Sequence, residues 1–192
     1  MRATPIVALA FLAALSAFAA CGGSDVSSTA DAQKAYLGLD PSIDKAITLG
    51  FVGYNAATSA NIDDHSMDGG VSGTLTVGGQ VDQGTSSNKT MRLVETLTNY
   101  SDDGQVTYHT DSSAPPSLTM DLKNIPTGTL NGSLSGSFLM SGGLSGQVSL
   151  ALIFAGQLEA TPDGGVVRKP STTHITGTAT SSAGTYNVDV TR

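Results

Sequence analysis

Asparagine, aspartate and histidine side chains gather in one short stretch of the sequence, and such residue types can ligate a metal ion. Residues 61–68 read Asn-Ile-Asp-Asp-His-Ser-Met-Asp. Hard cations such as Ca²⁺ take six to eight oxygen ligands, but this spacing differs from the calcium-loop pattern Asp-x-[Asp/Asn]-x-[Asp/Asn]-Gly. We therefore favour a solvated acidic loop between a helix and a strand, and we predict no cofactor. Cation binding stays open for the four ionisable side chains of this loop, Asp63, Asp64, His65 and Asp68.

Two further patterns bear on catalysis. Ser42 and Lys45 have the Ser-x-x-Lys spacing with which penicillin-binding enzymes activate a serine nucleophile, but the companion motifs Ser-Asp-Asn and Lys-Thr-Gly are absent. Both residues are better explained as first-turn residues of a helix. The histidines show no metal-binding His-x-x-x-His spacing, and the chain has no Gly-x-Ser-x-Gly motif. We therefore predict no catalytic residue and expect that the protein is not an enzyme.

Cys21 is the single cysteine of the chain and follows an apolar N-terminal segment. Residues 6–20 are apolar except for Ser16. This run is too short for a permanent membrane-spanning helix and ends in small residues, which is typical of a cleaved export signal. The sequence Phe-Ala-Ala-Cys that ends at Cys21 resembles the lipobox of bacterial lipoproteins, although Phe18 stands where that family usually has Leu, Val or Ile. In that family the cysteine becomes the mature N-terminus and carries acyl chains such as palmitate.

An ordinary secretion signal is the alternative interpretation. Ala17-Phe18-Ala19 also fits small-x-small cleavage, which would leave Cys21 as a free thiol. An unpaired cysteine in an exported protein calls for a reason, and lipidation of Cys21 supplies one. The resemblance implies a lipid-anchored protein of the bacterial cell envelope, periplasmic or surface-facing, with the outer membrane favoured over the inner.

The charge balance limits the partners of the mature chain. The 172 residues from Cys21 onwards carry eight Lys and Arg against sixteen Asp and Glu. The negative net charge argues against a nucleic-acid partner and against electrostatic docking to anionic lipids. Membrane attachment is therefore expected through acyl chains on Cys21, while a protein partner or apolar ligand stays unidentified.

The composition divides the chain into a signal peptide (residues 1–20), a lipidated N-terminus with a flexible linker (21–35) and one domain (36–192). Asp40 and Pro41 predict a helix start. Ile43, Ile47, Phe51 and Tyr54 then form one apolar helical face, and Ala46, Gly50, Gly53 and Ala57 lie beside it.

From residue 71 onwards, apolar and polar residues alternate, and Gly, Pro and Asp turns separate the runs. Such alternation predicts an antiparallel sheet with one buried face. We predict an α+β fold: an N-terminal amphipathic helix packed on a strongly curved antiparallel sheet of about eight strands, with a half-barrel as one form that it can take.

A short pattern of apolar residue, Ser or Thr, Gly, any residue and apolar residue recurs around Gly73, Gly136, Gly146 and Gly177. Period-two geometry places each glycine on the face of its apolar neighbours. Two explanations stay open. The glycines form a notch that receives the Gly50/Gly53 side of the helix, or they let the strands bend.

Residues 40–51 and 173–180 are similar to uncharacterised bacterial lipoproteins of this size, a resemblance that implies no activity. The leading function is a non-enzymatic structural or interaction protein with a polar Ser/Thr face. The alternative is a carrier of a small apolar ligand, such as a lipid, in a helix-covered curved sheet. A pocket of about 300 Å³ or more would favour the carrier if it were lined by Leu144, Val148, Leu152 and Phe154.

Overall fold

The computed structural model describes residues 23–192 as two consecutive helices followed by strands. Helix α1 spans Thr29–Leu39 and helix α2 spans Pro41–Ala56. The strands are β1 (Asn61–Asp68), β2 (Ser72–Val81), β3 (Lys89–Ser101), β4 (Val106–His109), β5 (Ser117–Lys123), β6 (Thr129–Gly142), β7 (Gly146–Ala160), β8 (Val166–Arg168), β9 (His174–Ser181) and β10 (Gly184–Thr191). Cys21 and the predicted signal peptide lie outside the described residues.

Helix α1 occupies residues 29–35 of the segment 21–35 that was predicted as a lipidated N-terminus and flexible linker. The Ser28 hydroxyl caps the helix by accepting a hydrogen bond from the Asp31 amide at 3.1 Å, which satisfies one of the free N–H groups of the first turn. Ala32 and Ala35 are fully buried, as is Val26 before the helix. The polar composition of this segment was misleading because small alanines form its buried face.

Helix α2 starts at Pro41 as predicted, but it is not the N-terminal element, and only half of its predicted apolar face is buried. The backbone of Asp40 is itself helical, so α2 continues directly from α1. Phe51 and Tyr54 are only partly buried. Ile43 and Ile47 of the predicted stripe are buried, together with Ser42, Ala46, Leu49, Gly50 and Gly53 beside it.

The strands form one antiparallel sheet of ten strands within residues 23–192, two more than the eight or so predicted. The main path runs β1-β2-β3-β4-β6-β7-β9-β10. The long strands β3 and β6 hold β4 and β5 between them, and β7 pairs with both β8 and β9. The strands β4 and β8 have four and three residues, too few for a reliable alternation pattern. The helices contact both edge strands, α1 on β10 and α2 on β1.

The recurring strand glycines allow backbone conformations that other residues rarely adopt. All four have positive φ, from +68° at Gly73 to +154° at Gly136, a conformation that L-residues with a side chain rarely adopt. A Cβ on Gly177 would collide with the backbone carbonyl of Ala151 on the neighbouring strand. The strand glycines therefore allow bends and close strand pairing rather than receiving the helix.

The helix glycines do permit close packing, but against side chains. A Cβ on Gly50 would lie 2.9 Å from the Met91 sulfur, and one on Gly53 would lie 2.8 Å from Ile62 Cβ. The strand glycines and the helix glycines therefore have separate roles, although the sequence suggested that they pack against each other.

Candidate functional site

Asp40 lies at the junction of α1 and α2 and is the centre of a buried ion-pair cluster. Arg168, on β8, donates to Asp40 Oδ1 at 2.8 Å and to Asp40 Oδ2 at 3.0 Å. The same guanidinium donates from Nε and Nη2 to the two carboxylate oxygens of Asp44, both at 2.8 Å. Tyr36 donates to Asp40 Oδ1 at 2.5 Å, and Arg192 Nε lies 3.3 Å from Asp40 Oδ2. These bonds join the helical segment to β8 and the C-terminus.

The charges of this cluster are stabilised by one another. Burial disfavours ionisation of Asp40, but hydrogen bonds and the positive charge of Arg168 outweigh it and hold the Asp40 pKa below its usual value. Burial and the neighbouring Asp40 raise the pKa of Tyr36. Because each Asp40 oxygen already accepts hydrogen bonds, the carboxylate is occupied as a structural acceptor. A polar groove of about 340 Å³ adjoins the cluster and is lined by Lys169, Pro170 and Ser171.

Lys45 and Asp102 form a second cluster. Lys45 Nζ donates to Asp102 Oδ1 at 2.5 Å and to the Asp68 carbonyl at 2.9 Å. Tyr100 donates to the other oxygen of Asp102 and lies with its ring centroid 5.0 Å from the ammonium. Burial opposes ionisation of Asp102, but its bonds from Lys45 and Tyr100 keep its pKa below the usual range. This cluster connects α2 to the β1–β2 and β3–β4 turns.

The Ser-x-x-Lys spacing does not produce an activated serine in this structure. The Ser42 hydroxyl is buried and has no hydrogen-bond partner, while the Lys45 amine is engaged by Asp102 and Asp68. A nucleophile needs a base within hydrogen-bonding reach. Ser42 has none.

Glu95 is the most unusual ionisable group of the described chain. Its side chain is fully buried on the inner face of β3, and neither carboxylate oxygen has a hydrogen-bond partner. Burial raises the pKa of Glu95 to about 7. Sequence analysis missed this residue, although it occupies the inward position in the alternation Met91, Leu93, Glu95, Leu97. That alternation was the signal that could have revealed a buried carboxyl group.

The acidic stretch 61–68 is strand β1, not a connecting loop. Asp63 and Asp64 lie between Ile62 and His65, where the register with β2 shifts, and both side chains are exposed to solvent. Within residues 23–192, no group of three or more His, Asp or Glu side chains is placed to hold a metal ion.

The histidines are not assembled into a catalytic group with a nucleophile. His174 Nε2 lies 2.8 Å from Asp189 Oδ1, but both side chains are well exposed on neighbouring strands. His109 is exposed on β4 and His65 is partly buried on β1. The exposed His–Asp pair is a surface contact across two strands.

The outer face of the sheet carries an uncharged area that we call the hydroxyl patch. Strand registers align its residues in two rows across β5, β6, β7, β9 and β10. Ser137 and Ser149 share a hydrogen bond at 2.7 Å, and Thr180 and Thr185 share one at 3.0 Å. The patch comprises Ser117, Ser135, Ala151, Thr178 and Asn187 in one row and Ser137, Ser149, Thr180 and Thr185 in the next. Such a surface offers neutral donors and acceptors without a cleft or a charge.

An apolar groove of about 490 Å³ lies beside α2. Phe51 and Val52 of the helix form one wall, and Ile125, Pro126 and Val166 form the other. The residues that were predicted to line an interior ligand cavity behave differently: Leu144, Val148, Leu152 and Phe154 are buried in the core, each at most 3% exposed.

No protein-family model matches this chain, and the comparisons with curated proteins and with solved structures found no similar protein. None of the helices between residues 23 and 192 is long and apolar enough to cross a bilayer.

Proposed function

We propose that this chain is a lipoprotein of the bacterial cell envelope, anchored by acyl chains on Cys21, whose folded domain is a non-enzymatic structural or interaction module. The lipobox resemblance and the single cysteine support the anchor. The contacts of the helices with both edge strands support a sheet that curves around them and leaves its outer face for a partner.

The observation that carries the proposal is the contrast between the two faces of the sheet. The inner face is closed by the helices, and its large side chains are almost inaccessible to solvent. The outer face presents the hydroxyl patch, which has no charged member. A neutral, hydrogen-bonding partner fits this surface better than a nucleic acid or an anionic membrane does.

A carrier of an apolar ligand is the second candidate, and the groove beside α2 favours it. Its volume of about 490 Å³ lies in the range of small-molecule sites. The groove is open on the outer side of α2. An interior site between helix and sheet gains no support, because the side chains proposed to line it are packed in the core.

Native mass spectrometry of the protein solubilised from its own envelope tests the lipid anchor and the carrier. We expect a mature mass that begins at Cys21 and includes acyl chains, and we expect that a Cys21→Ser variant lacks this mass and leaves the membrane fraction. A mature chain that starts at Ala20 without acyl chains would contradict the anchor. A further non-covalent lipid mass on the protein would favour the carrier.

A further inference from the structure

Residues 23–26 are bound to the folded domain rather than forming a flexible tether. Ser24 pairs with Leu144 in a short parallel bridge, and the Ser145 amide donates to the Ser24 carbonyl at 3.0 Å. The Ser145 hydroxyl donates to the Gly23 carbonyl. Val26, two residues further on, is completely buried. The chain is therefore held in place from Gly23 onwards.

A second turn of the sheet fixes the same segment independently. The Ser181 hydroxyl donates to the Val26 carbonyl at 2.6 Å, and the Ser182 hydroxyl donates to the Asp25 carboxylate. Asp25 also accepts a hydrogen bond from the Val26 amide at 2.8 Å. Residues 23–26 are thus bonded to both the β6–β7 and the β9–β10 turns, which prevents this segment from swinging away from the domain.

These turns lie at one end of the sheet, which we call the anchor end. The antiparallel registers place the β1–β2 turn (69–71), the β3–β4 turn (102–105), the β6–β7 turn (143–145) and the β9–β10 turn (182–183) there. The β2–β3, β5–β6 and β7–β8 connections lie at the opposite end. A strand of 14 residues such as β6 is about 45 Å long when straight, so the two ends are well separated.

We propose that the domain sits directly on the phospholipid bilayer, with its anchor end facing the lipid and the opposite end pointing away. This inference rests on the proposed acylation of Cys21. Only one residue separates Cys21 from Gly23, so their Cα atoms are at most about 7.6 Å apart. Acyl chains in the membrane therefore bring the anchor end to the lipid surface.

The composition of the anchor end fits a neutral lipid surface. Val71, in the β1–β2 turn, is 62% exposed, and an apolar side chain there can enter the interfacial region of a bilayer. Asp25, Asp68 and Asp103 carry negative charge at the same end, Lys34 carries positive charge close to Gly143, and the paired Lys45 and Asp102 add no net charge. This balance favours zwitterionic over anionic lipid, so contact depends on the short connection to the acyl chains.

Single-tryptophan variants of the acylated protein test the orientation, because the chain has no tryptophan of its own. Ala183→Trp marks the anchor end, and Thr85→Trp in the exposed β2–β3 loop marks the opposite end. Each variant is purified from the envelope, its acyl mass is verified, and it is reconstituted in phosphatidylcholine vesicles that contain lipid with a nitroxide on the headgroup. We expect strong quenching of Ala183→Trp and little quenching of Thr85→Trp.

A flexible insertion provides the matched control. Ten Gly and Ser residues between Cys21 and Gly22 add a root-mean-square reach of about 17 Å and should reduce the quenching of Ala183→Trp. Equal quenching of the two tryptophans in acylated protein, or quenching that the insertion does not change, refutes the proposed orientation while the anchor stands. A mass spectrum without acyl chains refutes the anchor itself, and the orientation with it.

Discussion

Glu95 gives the sharpest test of the packing, because burial costs much more free energy for its ionised side chain than for its protonated one. The carboxyl group is fully buried without a hydrogen-bond partner, and burial penalises the charged form. Its pKa is raised from 4.5 to about 7. Replacing Glu95 with Gln keeps the shape and removes the ionisation, so Glu95→Gln isolates the free energy of charging this position.

The pH dependence follows from proton linkage. Between pH 4.5 and 7 the folded chain binds the Glu95 proton more tightly than the unfolded chain does, so stability falls as pH rises. The loss approaches about 1.4 kcal/mol per pH unit and totals about 3 kcal/mol above pH 7. The contribution is fully present below pH 4.5, the unfolded value, and is lost as pH rises through the folded value. We therefore expect Glu95→Gln to match the wild type near pH 4.5 and to exceed it by about 3 kcal/mol at pH 8.

Urea unfolding measured from pH 4.5 to 8 provides the free energies of unfolding. The difference between Glu95→Gln and the wild type removes the contributions of Asp40 and Asp102, which are the same in both proteins. Glu159→Gln, at the chain's other glutamate, is the control and should stay within about 0.5 kcal/mol of the wild type, as surface substitutions usually do. A constant difference between Glu95→Gln and the wild type across this pH range would show that Glu95 is not a buried acid of raised pKa.

Two further substitutions test the ion-pair cluster and the strand glycines, again by urea unfolding. Arg168→Met leaves the buried Asp40 carboxylate without its main partner and should lower the free energy of unfolding by about 3–5 kcal/mol. The control Arg92→Met, at a side chain that is 54% exposed, should change it by less than about 1 kcal/mol. Similar losses in the two variants would contradict a buried network around Asp40. Gly177→Ala places a Cβ against the neighbouring backbone at φ +147° and should lower the free energy of unfolding by more than about 2 kcal/mol. In the control Gly164→Ala, the residue has φ +86° but open space around it, so the loss should be about 1 kcal/mol. Equal losses at the two glycines would show that close strand contact does not matter at Gly177.

The alternation of apolar and polar residues was enough to predict the sheet. Strands such as β7, with Val148, Leu150, Leu152 and Phe154 facing inwards, carry their burial pattern in the sequence because a period of two leaves few alternatives. Pro41 likewise located the start of α2. Strand β1, predicted as an acidic loop, and the alanine-rich helix α1, predicted as part of a linker, escaped prediction because each offers too few large apolar residues to show a period.

The helical face was predicted only in part, for a physical reason. Large apolar side chains suggested that Phe51 and Tyr54 face the core. The sheet instead packs against the smaller residues Gly50 and Gly53, because these allow closer approach of Met91 and Ile62. Hydrophobicity alone does not reveal how closely two surfaces can approach.

The sequence by itself determined the sheet-rich fold class, the acidic charge and the position of the single Cys21 after an apolar segment, because these depend on composition, local periodicity and chain order. Only the tertiary structure decided which distant groups meet. Arg168 and Asp40 are 128 residues apart, and residues 23–26 bond to turns more than a hundred residues further along the chain. Local patterns record which face a residue prefers, whereas such long-range partners depend on strand order and register, which no single segment encodes.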